Sequence, residues 1–384
     1  MRKYGLIFFL VMFLIGTDTF LISPLLPTLS TFYHINPSIS GWMVSSYAIG
    51  YALFALISGP ISDGRDRKKI MIYGFLAFAV STFLCSFATS FWLMITFRFL
   101  AGVSASFVTP QVWASIPVVS PKEKIVQMMG IASTGLAASQ LLGVPIGAFL
   151  ASVSWRAPFY LISAASIVLL LFITTTIPSL NIKGQLDKNK TILATYAEVL
   201  ENKKTVQYLL AYLIFQTGNF AVLSFIGTWF AKDFGLTVSQ IGTAMIVIGI
   251  GNLIGTLFGS KLIGKWGLSK SLWSGLLTLC VLYIITPFSV NIEMAVIMLS
   301  FVFLLNGFVF PIFMTTLQST TTTARSTVSS LSNAAMYLGT TISGIVGGLL
   351  IVHFKGFLGI TVFTIVLYLI VLYLYKKSGF FKKA

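Results

Sequence analysis

Gly59-Pro60-Ile61-Ser62-Asp63-Gly64-Arg65-Asp66-Arg67-Lys68-Lys69 is the stretch from which the rest of the chain can be read. Six charges fill the seven positions from Asp63 to Lys69, and a long apolar run stands on either side. A loop pinned between two segments of membrane-crossing length reports which face of a bilayer it lies on.

Working outward, the composition agrees with lipid as the main solvent. Of 384 residues, 57% are hydrophobic and 9% charged, with a mean hydropathy of +0.94. A soluble protein of this size carries far more charged surface. The formal charge of +16 would suggest nucleic acid in a soluble domain,. Here the cations sit in short links between apolar runs, so no nucleic-acid partner is expected and the bilayer is. Cys85 and Cys280 fall in separate apolar runs, which suits neither a disulfide nor a zinc site,. The first run is too long for a signal-peptide core and is kept as a span.

Runs long enough to cross a hydrocarbon core of about 30 Å occur twelve times, near 5–29, 40–62, 70–88, 91–118, 126–151, 156–178, 206–230, 238–262, 270–288, 293–317, 327–352 and 356–375. Each must be a helix, because lipid offers no partner to open backbone groups. Of the 25 Lys and Arg residues, 21 fall in the termini and in alternate links, 3 in the opposite links (Arg156, Lys232, Lys355), and Arg98 lies inside a span. Positive charge stays in the cytoplasm, so both termini are expected there.

The expected fold class is therefore an all-α membrane protein. Twelve helices form two six-helix halves related by a pseudo-two-fold axis. The halves are 1–180 and 205–384, joined by a cytoplasmic linker at 181–204. Gly59 to Lys69 after span 2 finds an echo in Gly259 to Lys270 after span 8, and Gly16-Thr17-Asp18 in span 1 lies opposite Thr217-Gly218-Asn219 in span 7. Such a repeat suits a transporter that rocks around a midplane site.

Two charges lie clearly within spans. Span 1 runs outward, which sets Asp18 roughly 20 Å from the inner boundary, and span 4 runs inward, which sets Arg98 roughly 10 Å from the outer one. In a core of about 30 Å the depths coincide, so the two side chains can pair. One reading is a static ion pair locking span 1 to span 4. The other is a carboxyl that takes and releases a proton, since burial favours the neutral acid while a guanidinium favours the anion. Arg98 does not deprotonate and serves as fixed counter-charge. Asn219 is neutral where Asp18 is acidic, so a single principal membrane carboxylate is expected.

These residues bring out a resemblance to the major facilitator superfamily that covers nearly the whole chain. Gly59, Asp63, Arg67 and Lys68 match its signature loop, although Gly64 and Asp66 stand where that loop has Arg and Gly. Ile15-Gly16-Thr17-Asp18, with Pro24 and Pro27, looks like the acidic first-helix motif of the drug:proton antiporters. Arg98 and Gly102 match the span-4 motif, with Ala101 and Ser104 as departures. Gly135 and Gly143-Val144-Pro145-Ile146-Gly147 resemble the span-5 motif of exporters, with the proline displaced by one position and Ala148 in place of a second Gly. Trp155-Arg156 recurs in the sugar and drug efflux branch.

The resemblance implies a proton-coupled exporter working by alternating access. The proton is the coupling ion and no cofactor or metal is needed. Asp18 and Arg98 would couple the proton, and Gly59, Asp63, Arg67 and Lys68 would form the cytoplasmic gate. Gly143, Pro145 and Gly147 would carry the exporter motif. It further implies a bacterial plasma-membrane location and a monomer.

Polar residues scattered through the spans are candidate cavity groups for a small neutral or amphipathic molecule. They are Tyr47, Tyr51, Gln111, Trp113 and Gln140 in the first half, and Gln216, Asn219, Asn252, Asn306, Asn333 and Tyr337 in the second,. Each could equally hold helices together. The alternative functions are a facilitator or proton symporter for a sugar, nucleoside or other nutrient, a membrane-embedded enzyme, or a receptor or scaffold. No nucleophile–base set and no metal-ligand spacing is visible in the sequence, so an enzyme is not expected.

Overall fold

The computed structural model describes residues 2–62, 66–121, 125–180, 192–320 and 325–383. Twelve helical segments in it are long and apolar enough to cross a membrane. In the first half they are α1 (Arg2–Phe32), the short α2 (Pro37–Ser40) continuing into α3 (Trp42–Ser62), α4 (Arg67–Cys85) and α5 (Phe91–Val119). The fifth span is composite: α6 (Ile125–Ala138), a wide π-helical turn (Ser139–Gly143) and α7 (Val144–Val153); α8 (Ala157–Thr176) is the sixth. A short linker helix, α9 (Ile192–Glu201), precedes α10 (Lys203–Phe234), α11 (Val238–Trp266), α12 (Leu268–Ile285), α13 (Ile292–Gln318), α14 (Arg325–His353) and α15 (Leu358–Lys377).

α4, α10 and α13 begin earlier than hydropathy alone indicates, and side-chain caps are the reason. Asp66 accepts from the Lys68 amide at 3.0 Å, Asn202 from the Lys204 amide at 3.0 Å, and Asn291 from the Met294 amide at 2.9 Å. Thr237 and Gln240 form a reciprocal capping box. Each cap satisfies backbone donors that a helix start leaves open. Because cap residues are polar, an apolar window excludes them and the turn they initiate.

The two halves repeat one packing scheme. The first span packs on the fifth and the seventh on the eleventh; the second on the fourth and the eighth on the tenth; the third on the sixth and the ninth on the twelfth. Close approach depends on glycine. A Cβ on Gly50 would run into the Phe99 backbone, and one on Gly255 into the Leu304 backbone, at equivalent places in the two halves. Small residues at such crossings let helices touch where no hydrophobic force separates protein from lipid.

Across the halves α1 meets α10, α3 meets α14, and α7 with the π turn meets α11. The Ser23 hydroxyl donates to the carbonyls of Leu223 and Ser224, and Ser45 donates to Thr341 at 2.7 Å. Gly41 abuts Gly344, Gly348 abuts Ser38, and Gly227 abuts Ser23 and Pro24. All of these lie toward the end of the bundle remote from the chain termini, so the halves are closed against each other there. At the termini's end, Tyr196 of α9 donates to the Leu56 carbonyl of α3 at 3.4 Å, and α9 also touches α10 and α14.

Candidate functional site

The deepest charges come together. Arg98 Nη1 on α5 donates to Asp18 Oδ2 on α1 at 2.8 Å, and both side chains are 0% exposed. The depths follow from helix rise, since each residue advances its span by about 1.5 Å. Arg98 Nε reaches the Met43 carbonyl at 3.4 Å, and the guanidinium carbon sits 4.5 Å from the centre of the Tyr47 ring. The pair is monodentate: Asp18 Oδ1 and Arg98 Nη2 have no hydrogen-bond partner among the described residues. A buried charge with an unfilled position is costly. This pair therefore carries more strain than a fork-on-fork salt bridge would.

Span 5 holds α1 in place beside the pair. A Cβ on Gly16 would strike Ser139, one on Gly143 would strike Thr17, and one on Gly147 would strike Leu21. Gly135 likewise faces Phe9. Eight residues of straight α-helix overshoot two turns by about 80°. Taking one residue into a wide turn brings Gly135 and Gly143 back to one face. The π turn thus lets the motif glycines share one flank of α1. Pro145 directly follows, in the first turn of α7.

The cavity candidates sort into separate groups. Tyr51 and Tyr337, from opposite halves, stack at 3.7 Å between centroids with 22° between planes, and Tyr47 lies 6.4 Å from Tyr337. Gln140 in the π turn accepts from Asn252 of α11 at 3.0 Å, a direct amide bond between the halves. Gln216, Asn219 and Asn306 form a chain within the second half. Asn306 donates to Asn219 at 2.9 Å, Asn219 to Gln216 at 3.5 Å, and Gln216 to the Tyr212 hydroxyl at 3.0 Å. Asn219 is thus tied into a neutral amide network where its counterpart Asp18 meets a cation. Gln111 stands apart: it is buried, and neither amide atom has a partner among the described residues. Trp113 is half-buried against the core.

Of the loop quartet, Gly59 lies in α3, and Asp63 lies outside the described residues. Arg67 Nη1 donates to the Ala114 carbonyl at 2.6 Å, and Lys68 Nζ to the Thr174 carbonyl at 2.7 Å. Both cations staple carbonyls near helix C-termini of their own half, where the helix dipole favours them. Sequence reasoning missed the neighbour Asp66. Besides capping α4, its carboxylate accepts from Ser179 Oγ at 2.7 Å and from the Leu180 amide at 3.0 Å. Partial burial pushes the Asp66 carboxyl up, but the bonds from Ser179, Leu180 and Lys68, with Lys69 nearby, hold it below the ordinary aspartate value. An acid directly before a helix was the available signal. Thr19, which donates to the Tyr47 hydroxyl at 3.1 Å, was also missed.

Residues 8–322 and 208–382 match the family model of the Major Facilitator Superfamily. The chain belongs to this superfamily. It is 50% identical over 370 residues to the MFS-type transporter YceJ of Bacillus subtilis (strain 168), covering 96% of this chain and 95% of that one. With Multidrug resistance protein 1 of the same organism it shares 29% identity over 247 residues, 62% of this chain and 60% of that one. Among solved structures, a D-xylose–proton symporter superposes with a TM-score of 0.78 at 16% identity, covering 98% and 97% of the two chains. As a superfamily member the chain is a multi-pass membrane transporter.

Proposed function

We propose that this transporter exports small neutral or amphipathic molecules in exchange for protons. The observation that carries the reading is the buried, half-filled Asp18–Arg98 pair. Oδ1 of Asp18 has no partner among the described residues, so a proton can settle there without first displacing a donor. Neutralising the carboxyl weakens its bond to Arg98, and Arg98 lies against Tyr47 beside the contact between halves. The proton thereby alters contacts on both sides of the interface, which is what alternating access requires. The amide chain of the second half and the tyrosines offer hydrogen bonds and apolar faces but no second carboxylate, in keeping with neutral or amphipathic cargo. The likeness to a multidrug resistance protein supports the same direction of transport. Both termini and the linker face the cytoplasm of a bacterial cell in this reading, the protein works as a monomer, and the end now closed faces outward.

The test is transport in proteoliposomes of known orientation. With an imposed proton gradient, Asp18→Asn abolishes uphill accumulation of cargo, while the variant still inserts. Undiminished uphill transport by Asp18→Asn ends the proton role.

A further inference from the structure

The contact between Tyr51 of α3 and Tyr337 of α14 is unlike the other ring contacts in the chain. The remaining ring pairs among the described residues lie between 4.5 and 6.4 Å from centroid to centroid. Tyr51 and Tyr337 lie at 3.7 Å, nearly face to face, with both side chains buried. Aromatic faces carry negative charge density, so ring pairs settle offset or edge-on at about 4.5–7 Å. Two phenol faces pressed together at this distance oppose like density. A planar ring poor in electrons, placed between them, would turn both repelling faces into attracting ones.

Position adds a second observation. The two rings come from opposite halves, at a place that must part whenever the halves change which end is closed. Tyr47 borders Tyr337, accepts a hydrogen bond from Thr19, and lies under the Arg98 guanidinium. An occupant between Tyr51 and Tyr337 would therefore adjoin the charged pair without needing a charge of its own.

We infer that Tyr51 and Tyr337 form a clamp for one flat, electron-poor aromatic ring of the cargo. The ring enters as the halves separate and holds the tyrosines about 7 Å apart, with one face against each. This names the class of molecule for the midplane site and rests on the transport reading above, but it does not depend on protons being the driving ion.

The experiment uses the full-length protein in lipid nanodiscs, without any gradient. The probes are 4-nitrophthalimide, a flat neutral electron-poor bicycle, and cis-hexahydrophthalimide, a saturated relative. Equilibrium dialysis should show the flat probe bound at least about tenfold more tightly, with a new long-wavelength charge-transfer absorption. Tyr51→Leu and Tyr337→Leu each remove one face, weaken binding by about 2- to 12-fold and diminish the band, and the double Leu variant abolishes it. Tyr51→Phe and Tyr337→Phe keep a ring, so binding holds. The band moves to shorter wavelength because a phenyl ring is the poorer donor. That shift arises in well-folded protein and does not rely on the Leu variants. Equal binding of the two probes, or a band unmoved by either Phe substitution, overturns the clamp. The binding results are read with Asp18 intact and no gradient, whereas proton coupling is read as transport in proteoliposomes, so the two readings fail separately.

Discussion

Gly41→Ala should open the end of the bundle that is closed in this structure. A methyl on Gly41 would overlap the Gly344 carbonyl oxygen, with the carbonyl carbon at 2.7 Å and the Phe225 ring at 2.8 Å. Moving that carbon to the 3.4 Å of ordinary contact takes about 0.7 Å, the nearer oxygen needs a larger parting of the seam, and backbone cannot rotate away as a side chain can. Overpacking of this kind costs about 1–3 kcal/mol. The strain exists only while α3 and α14 touch, so it raises the closed form alone. The ratio of open to closed forms should then rise about 5- to 150-fold. Spin labels at exposed Thr89 and Val290, in loops of opposite halves at that end, read the change as a longer distance in double electron–electron resonance. Both native cysteines, Cys85 and Cys280, are buried. Gly255→Ala is the matched control: its methyl meets the Leu304 carbonyl carbon at the same 2.7 Å, but between α11 and α13 of one half. It should lower the unfolding temperature and leave the distance unchanged. If both variants lengthen the distance alike, or neither does, the glycine seam is not what holds this end shut.

Two further substitutions separate local from global roles. Asp66→Ala removes the α4 cap and the ties to Ser179 and Leu180, at a cost of about 0.5–2 kcal/mol for the cap alone,. The Asp66 carboxyl is held below its ordinary value, so its stabilising effect is present at neutral pH and fades as pH falls through the folded-state value,. Thermal unfolding of wild type and variant should therefore differ at pH 7 and converge in strong acid; a constant difference would assign the effect to packing. Gln140→Leu or Asn252→Leu breaks the amide bond between the halves, worth about 0.6 kcal/mol in membrane proteins,. Each should favour the open form by roughly threefold, and the double variant should add little to either single one. Fully additive effects would show that the bond contributes nothing.

The twelve spans were legible because lipid imposes one length and one solubility on every crossing segment. The meeting of Asp18 with Arg98 was legible for a related reason: helix rise converts sequence position into depth. What depth cannot supply is azimuth. Gln140 could as well have turned toward lipid, and nothing in its neighbours names Asn252 as its partner. The wide turn at Ser139–Gly143 has no compositional mark, since its residues would suit an ordinary helix. Asp66 was read as a departure from a familiar loop, when its place before α4 already made it a cap. Tyr51 and Tyr337 are 286 positions apart in sequence, and only the closure of the halves brings their rings together.

The π turn gives the fifth span a degree of freedom that its neighbours lack. Returning the extra residue to a regular helix would rotate everything from Val144 to Val153 by about 100°. Gly147 would swing off Leu21, and Ala148 and Pro145 off Gly242. Such a helix behaves as a screw: a twist about its own axis disengages α1 and α11 in one stroke, with no need to tilt the bundle.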